Sequence, residues 1–121
     1  MDILFKNVTA VTMDGADGGV IKNAFVGIKD GKISYVGTEE PLETAKEVID
    51  GKGKVLIPGL VNTHTHLPMS FLRGYSDDCP LHIWLNDFIF PAEARLDDRA
   101  VKAAAIMGMA EAISFGSTSF R

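Results

Sequence analysis

Apolar and polar residues alternate in short runs over the first half of the chain. ILFKNVTAVTM, residues 3–13, is rich in β-branched and apolar side chains and is followed by DGADGG, 14–19, a loop cluster. FVGIK and KISYV then flank Asp30-Gly31. This is a two-residue hairpin signal, because a type I′ turn needs the positive φ that Asp-Gly tolerates. PLETAKEVID, 41–50, suits one helical turn, and GKGKVLIPG leads into a further strand. Residues 1–57 therefore predict a small antiparallel unit, the N-terminal part of a β-sandwich.

The pattern changes after Pro58. VLIPG, 55–59, is an apolar run that predicts a buried strand leading into LVNTHTHLPM, and Leu67 to Pro80 reads as a long polar connection. LHIWLNDFIF, 81–90, predicts a short helix stopped by Pro91. In LDDRAVKAAAIMGMAEAISFG, residues Val101, Ala104, Ala105, Gly108, Met109, Ala112 and Ile113 form one apolar stripe at helical spacing. Asp97 or Asp98 can cap that helix and Gly116 can close it, while Ala104, Ala105 and Gly108 allow close approach to a neighbour. STSF, 117–120, begins another strand. Strand, loop, helix, strand is one βα unit with the next strand begun, the opening of an α/β barrel or a parallel sheet.

His64 and His66 are the residues with the most chemistry in this pattern. Side chains at i and i+2 of a strand share a face, so the two imidazoles would project together, with Thr63 and Thr65 opposite. The spacing alone suits two core histidines or two ligands of one divalent metal. Position favours the metal, since the strand end before a loop is where chemistry collects in α/β sheets and barrels.

Composition narrows the classes. The chain has 121 residues, 46% of them hydrophobic, with a net charge of −4, which suits a folded domain. Lys and Arg form no basic stripe, which disfavours nucleic acid as a partner. No 18-residue apolar stretch suggests a membrane span, and MDILFKNVTAV lacks the pattern of a secretory signal. The single cysteine, Cys79 in DDCPL, reads as a loop thiol; a cytoplasmic location is the default expectation.

PGLVNTHTHLPMSFLRG, behind a β unit, resembles the metal-dependent amidohydrolase superfamily. DDCPLHIWLNDFIFPAEARLDD looks like its 5′-methylthioadenosine/S-adenosylhomocysteine deaminase group and the triazine-hydrolase relatives. The resemblance implies a (β/α)8 barrel with a β-sandwich, residues 58–121 being the first βα unit and the start of the second strand. It implies that His64 and His66 ligate one metal, zinc, with iron and manganese also compatible with imidazole. Glu93 would hydrogen-bond the ribose hydroxyls of a nucleoside and Trp84 would line the pocket. Without the resemblance, Glu93 reads as a carboxylate paired with Arg95, Trp84 as a packing aromatic, His82 as structural or surface, and Arg73 and Asp77-Asp78 as solvated loop charges.

The activity implied is hydrolytic deamination of an adenosine-type nucleoside. Methylthioadenosine, adenosylhomocysteine, adenosine, guanine and a triazine all suit these residues. A barrel of this kind takes about 250 residues, so these residues would hold only its N-terminal portion. The other metal ligands and the proton-shuttling carboxylate of the family have no counterpart among them. The expectation is a chain inactive alone that associates with the remaining barrel or with its own copies. The contrasting expectation is a non-catalytic fragment or interaction module.

Overall fold

The computed structural model describes residues 1–15 and 18–121. Ala16 and Asp17, in the DGADGG cluster, lie outside the described residues. The chain divides into two compact units, Met1–Pro58 and Gly59–Arg121.

The first unit is a five-stranded sheet of β1 (Ile3–Val11), β2 (Val20–Lys29), β3 (Lys32–Gly37), β4 (Glu47–Asp50) and β5 (Val55–Leu56). The order is β3-β2-β1-β4, with β5 also pairing β1. Asp30 and Gly31 have φ of 51° and 70°, so the β2–β3 hairpin turns where Asp-Gly predicted. The sheet is mixed, however, and not purely antiparallel: β4 and β5 both run parallel to β1. PLETAKEVID accordingly holds no helical turn, and its end is β4. The Val and Ile of EVID suit a strand, and the Glu47–Asp50 segment pairs with Ile3–Lys6, a partner that local spacing does not reveal. A tight turn, with Lys54 N–H donating to Gly51 O at 2.8 Å, then returns the chain to the same edge of β1. Period-two alternation places Val8, Ala10, Ala24 and Val26 in one buried cluster, with Phe5, Ile21 and Leu56 packed on it.

In the second unit β6 (Leu60–Asn62) and β7 (Ser117–Phe120) pair in parallel. The apolar run before the histidines is thus two strands in two sheets, broken at Pro58-Gly59. It is also far from buried, Val55 and Val61 being 62% and 64% exposed. Pro58 has no N–H for a ladder, and Gly59 packs against Thr118 with no room for a Cβ. The connection after the histidines is partly ordered as a 3-10 helix, Leu67–Leu72.

Leu81–Glu93 is one continuous helical stretch: α1 (Leu81–Ile83), a π-helical turn (Trp84–Ile89) and α2 (Phe90–Glu93). Pro91 does not stop it. The ring follows directly on the π turn, whose wider register relieves the clash and the lost bond that a proline brings to a regular helix. The long helix α3 (Asp98–Ser114) is capped by Asp97, whose carboxylate accepts from Ala100 N–H at 2.8 Å. Gly116, with φ of 90°, follows it in the left-handed region. Ala104 and Gly108 of the predicted stripe are buried, whereas Val101 and Ile113 at its ends are exposed. Gly108 lies against Leu67 and Ser70 of the 3-10 helix.

Candidate metal centre

The site lies wholly within residues 59–121. Strand β6 ends at Asn62, so the histidines stand just beyond the strand and not on it. Their convergence comes from the turn. Asn62 Oδ1 accepts from the backbone N–H of His64 at 3.1 Å, an Asx turn that bends the chain within two residues. His66 occupies the cap position of the 3-10 helix with φ −115° and ψ 68°, and its side chain makes no capping bond. Its carbonyl accepts from Met69 N–H at 2.9 Å, and Pro68 stiffens the first turn. Both rings are exposed and approach edge to face at 5.1 Å between centroids.

The two Nε2 atoms are 3.2 Å apart. Bare lone pairs repel at that distance, so either one nitrogen carries a proton and donates, or a cation lies between them. The spacing suits zinc: bonds of about 2.0–2.1 Å at a tetrahedral angle set two ligand nitrogens about 3.3 Å apart. Among the described residues no group of three or more His, Cys, Asp or Glu side chains gathers around a common point. The pair therefore supplies two ligands, where catalytic zinc takes three or more.

Beside the histidines is a cavity of about 310 Å³ lined by His66, Met69, Leu72, Arg73, Gly74, Tyr75, Asp77 and Trp84. The structure thus brings Trp84 and His66 to one cavity. Glu93 is half-buried on α2 and is not among the lining residues. Its carboxylate has no ion pair with Arg95 among the described residues, and its backbone carbonyl accepts from Leu96 N–H. His82 is exposed, and its carbonyl accepts from Asn86 Nδ2 at 2.7 Å. Cys79 is a half-buried free thiol in the loop, 3.7 Å from Ser76 Oγ.

Arg73 is mostly exposed, as a solvated loop charge would be, but it is paired. Its guanidinium forms a two-pronged ion pair with Glu111 of α3, at 3.1 and 2.5 Å. That hydrogen bonding raises the Arg73 pKa and holds the Glu111 carboxyl below its ordinary value. The pair fastens the end of the 3-10 helix to α3, and Arg73 also lines the cavity. Asp77 lines the cavity, and both Asp77 and Asp78 are exposed. Sequence reasoning did not single out Asn62 or Glu111. Asn two residues before His is a recognisable Asx-turn signal, whereas the 38-residue separation of Arg73 and Glu111 has no local signature.

Comparison with known proteins bears on these features. Residues 2–51 match the BsNagA composite domain and residues 55–121 match the Amidohydrolase family. The 5′-deoxyadenosine deaminase of Methanosarcina acetivorans is 48% identical over 98% of this chain, which covers 27% of that protein. The 5-methylthioadenosine/S-adenosylhomocysteine deaminase of Halalkalibacterium halodurans is 46% identical over 99% of this chain, covering 28% of that protein. The chain thus spans little more than a quarter of the length of these relatives. Among solved structures, an adenosine deaminase from Xanthomonas campestris with bound zinc superposes with a TM-score of 0.82, at 29% identity over 99% of this chain and 28% of that one. A triazine hydrolase from an Arthrobacter superposes with a TM-score of 0.80 at 23% identity, over 98% of this chain and 27% of that one, which shows a shared fold. With more than half of its residues matching the family, the chain belongs to the amidohydrolases.

Proposed function

We propose that this chain contributes the first two metal ligands and one wall of the substrate pocket to a zinc-dependent deaminase of adenosine-type nucleosides. The observation that carries the reading is the 3.2 Å convergence of the His64 and His66 Nε2 atoms beside a cavity walled by Trp84. The names and identities of the relatives support the purine nucleoside as substrate class, with 5′-deoxyadenosine and 5′-methylthioadenosine as first candidates.

The donor set fits a metal, since neutral imidazole nitrogens are good zinc ligands. Zinc, when bound, supplies a Lewis acid that lowers the pKa of water to about 7. In the overall reaction water adds at the amidine carbon of the purine and ammonia leaves, giving the inosine form. The chain's own residues bind and orient. Asn62 fixes the backbone of His64. Trp84 offers an aromatic face to the nucleoside. Glu93 can accept two hydrogen bonds from the vicinal ribose diol, once a bound ligand bridges from the cavity to α2. Arg73, on the cavity wall with His66, is paired with Glu111, which offsets its charge there.

The test uses the native protein with zinc. Ammonia release from 5′-deoxyadenosine, lost together with bound zinc in His64→Ala and in His66→Ala, is the expected result. Retention of both zinc and activity in either variant would refute the metal assignment.

A further inference from the structure

We infer that the π-helical turn over Trp84–Ile89 is a positioning device, with Asn86 and Pro91 holding Trp84 in the cavity. The geometry of the turn is the starting point. Phe90 N–H donates to Leu85 O, five residues back, whereas a regular helix bonds four back. Regular helix resumes at once, Ala94 N–H donating to Phe90 O at 3.0 Å. One extra residue is thus accommodated between Trp84 and Ile89.

That residue decides where Trp84 points. Ile89 is fully buried and fixes one face of the stretch inward. In a regular helix Trp84, five residues earlier, would stand about 140° away from Ile89. In the π register residues five apart stand one wider turn apart, as residues four apart do in a regular helix, so burial of Ile89 carries Trp84 toward the same side. Phe88 adds a second hold: its ring packs edge-on against Tyr75 at 6.3 Å, and Tyr75 lines the same cavity as Trp84 and His66.

Two residues favour the wider register. Asn86 Nδ2 donates to His82 O at 2.7 Å, so a side-chain amide occupies a carbonyl that a regular helix would reserve for a backbone N–H. Pro91 has no N–H to give Asp87 O, and its ring would press on that carbonyl if regular helix ran through. Opening the turn before Pro91 removes both conflicts. Asn86 is exposed and outside the cavity; it acts through Trp84 and touches no ligand.

Trp84 is the only tryptophan of the 121 residues, so in a chain of these 121 residues its fluorescence reports on the turn directly. In the double variant Asn86→Leu/Pro91→Ala, regular helix can run through. Ile89 stays buried and Trp84 swings outward. Acrylamide quenching should rise at least twofold while helical circular dichroism is kept, and Asn86→Gln, which keeps the amide, should lie close to the parent. Unchanged quenching in a folded double variant would overturn the inference. Should that variant not fold, NMR coupling through the hydrogen bond of the parent chain decides: Phe90 N–H coupled to the Leu85 carbonyl supports the device, and coupling to the Asn86 carbonyl overturns it. The role of Trp84 toward a nucleoside rests on the proposed function and is read separately in the native zinc-loaded protein, by the KM for 5′-deoxyadenosine. A KM raised both in the double variant and in Trp84→Ala supports both. A double variant that shifts quenching, with a parental KM in Trp84→Ala, leaves the positioning device standing and refutes Trp84 as a nucleoside contact.

Discussion

Asn62 shows how much a single side chain can decide. It is not a candidate ligand, yet its amide oxygen sets the backbone from which His64 projects. Removing one such hydrogen bond costs about 1 kcal/mol, which converts to about a fivefold change in an equilibrium. Asn62→Ala in the native protein should therefore bind zinc about fivefold more weakly, with activity restored by added zinc, whereas His64→Ala should not be restored. Competition with a chromophoric chelator measures both, and an Asn62→Ala protein with parental zinc affinity would remove Asn62 from the site. Glu93 is argued from chemistry alone, since it stands outside the cavity lining. If it holds the ribose diol, Glu93→Gln should lower kcat/KM for nucleosides roughly 10- to 100-fold, about 1.4–2.7 kcal/mol of lost binding. A 2′,3′-dideoxynucleoside should be almost insensitive to the change. Equal losses on both substrates would show that Glu93 does not read the sugar.

At the scale of elements, α3 and the 3-10 helix depend on one small residue. Replacing a glycine inside a helix by alanine ordinarily stabilises by about 1 kcal/mol. At Gly108 an added Cβ would lie 2.7 Å from Ser70 Oγ and 3.0 Å from Leu67 Cδ2. Ser70 is not free to yield, because its hydroxyl donates to Leu67 O at 2.8 Å. Overpacking of this kind costs about 1–3 kcal/mol, so Gly108→Ala should destabilise by about 1 kcal/mol. Ser70→Ala in the same chain should recover most of that loss, and urea unfolding of the parent, the two single variants and the double variant tests the pair. A stabilised Gly108→Ala would show that the contact relaxes freely. In the first unit Glu43 accepts hydrogen bonds from Lys29 Nζ and the Met1 amino group, both at 2.8 Å. The Lys29 bond is the larger cause, and together they lower the Glu43 pKa from 4.5 to about 2. A depressed carboxyl pKa contributes stability above its unfolded value and loses it as pH falls toward the folded one. The stability gap between the parent and Glu43→Gln should thus be level from pH 4.5 to about 6.5 and close between 4.5 and about 2; a gap unchanged from pH 6.5 down to 2 would dissociate Glu43 from the fold. The elements legible in the sequence were those with local chemistry. Asp30-Gly31 turned the hairpin, Asp97 capped α3, Gly116 followed it, and the i, i+2 histidines converged. The misread ones depend on distant partners: β4 is a strand because β1 lies beside it, the Arg73–Glu111 pair spans 38 residues, and the π turn needs Ile89 buried and Asn86 bonded. The two histidines do converge, but from an Asx turn beyond β6 and not from the strand that their spacing suggested.

For the molecule as a whole, the decisive quantity is apolar surface left uncovered in the second unit. Leu60 and Val61 of β6 are 52% and 64% exposed, and Ile106, Met107, Ile113 and Phe115 on and after α3 are exposed as well. Helix α3 is apolar on the face toward the 3-10 helix and on this second face too, and a helix apolar on most sides is one that packs on more than one neighbour. Patches beyond a few hundred Å² ordinarily mark contact surfaces, and the parallel β6–β7 pair has open edges that recruit other strands. The 121-residue chain should therefore self-associate at tens of micromolar. Charges placed on the second face of α3, as in Ile106→Glu and Ile113→Lys, should raise the monomer fraction without disturbing the buried Ala104 and Gly108 side. The same preparation should release no ammonia from 5′-deoxyadenosine and should lose zinc on gel filtration, because two imidazoles hold the metal where catalytic sites use three or more ligands. Sedimentation velocity, zinc content and an ammonia assay on material of confirmed mass test these outcomes together. A sharp monomer boundary with cooperative unfolding would show that the apolar face needs no cover. Zinc-dependent turnover by this chain alone would show that His64 and His66, with the residues around them, already make a complete site.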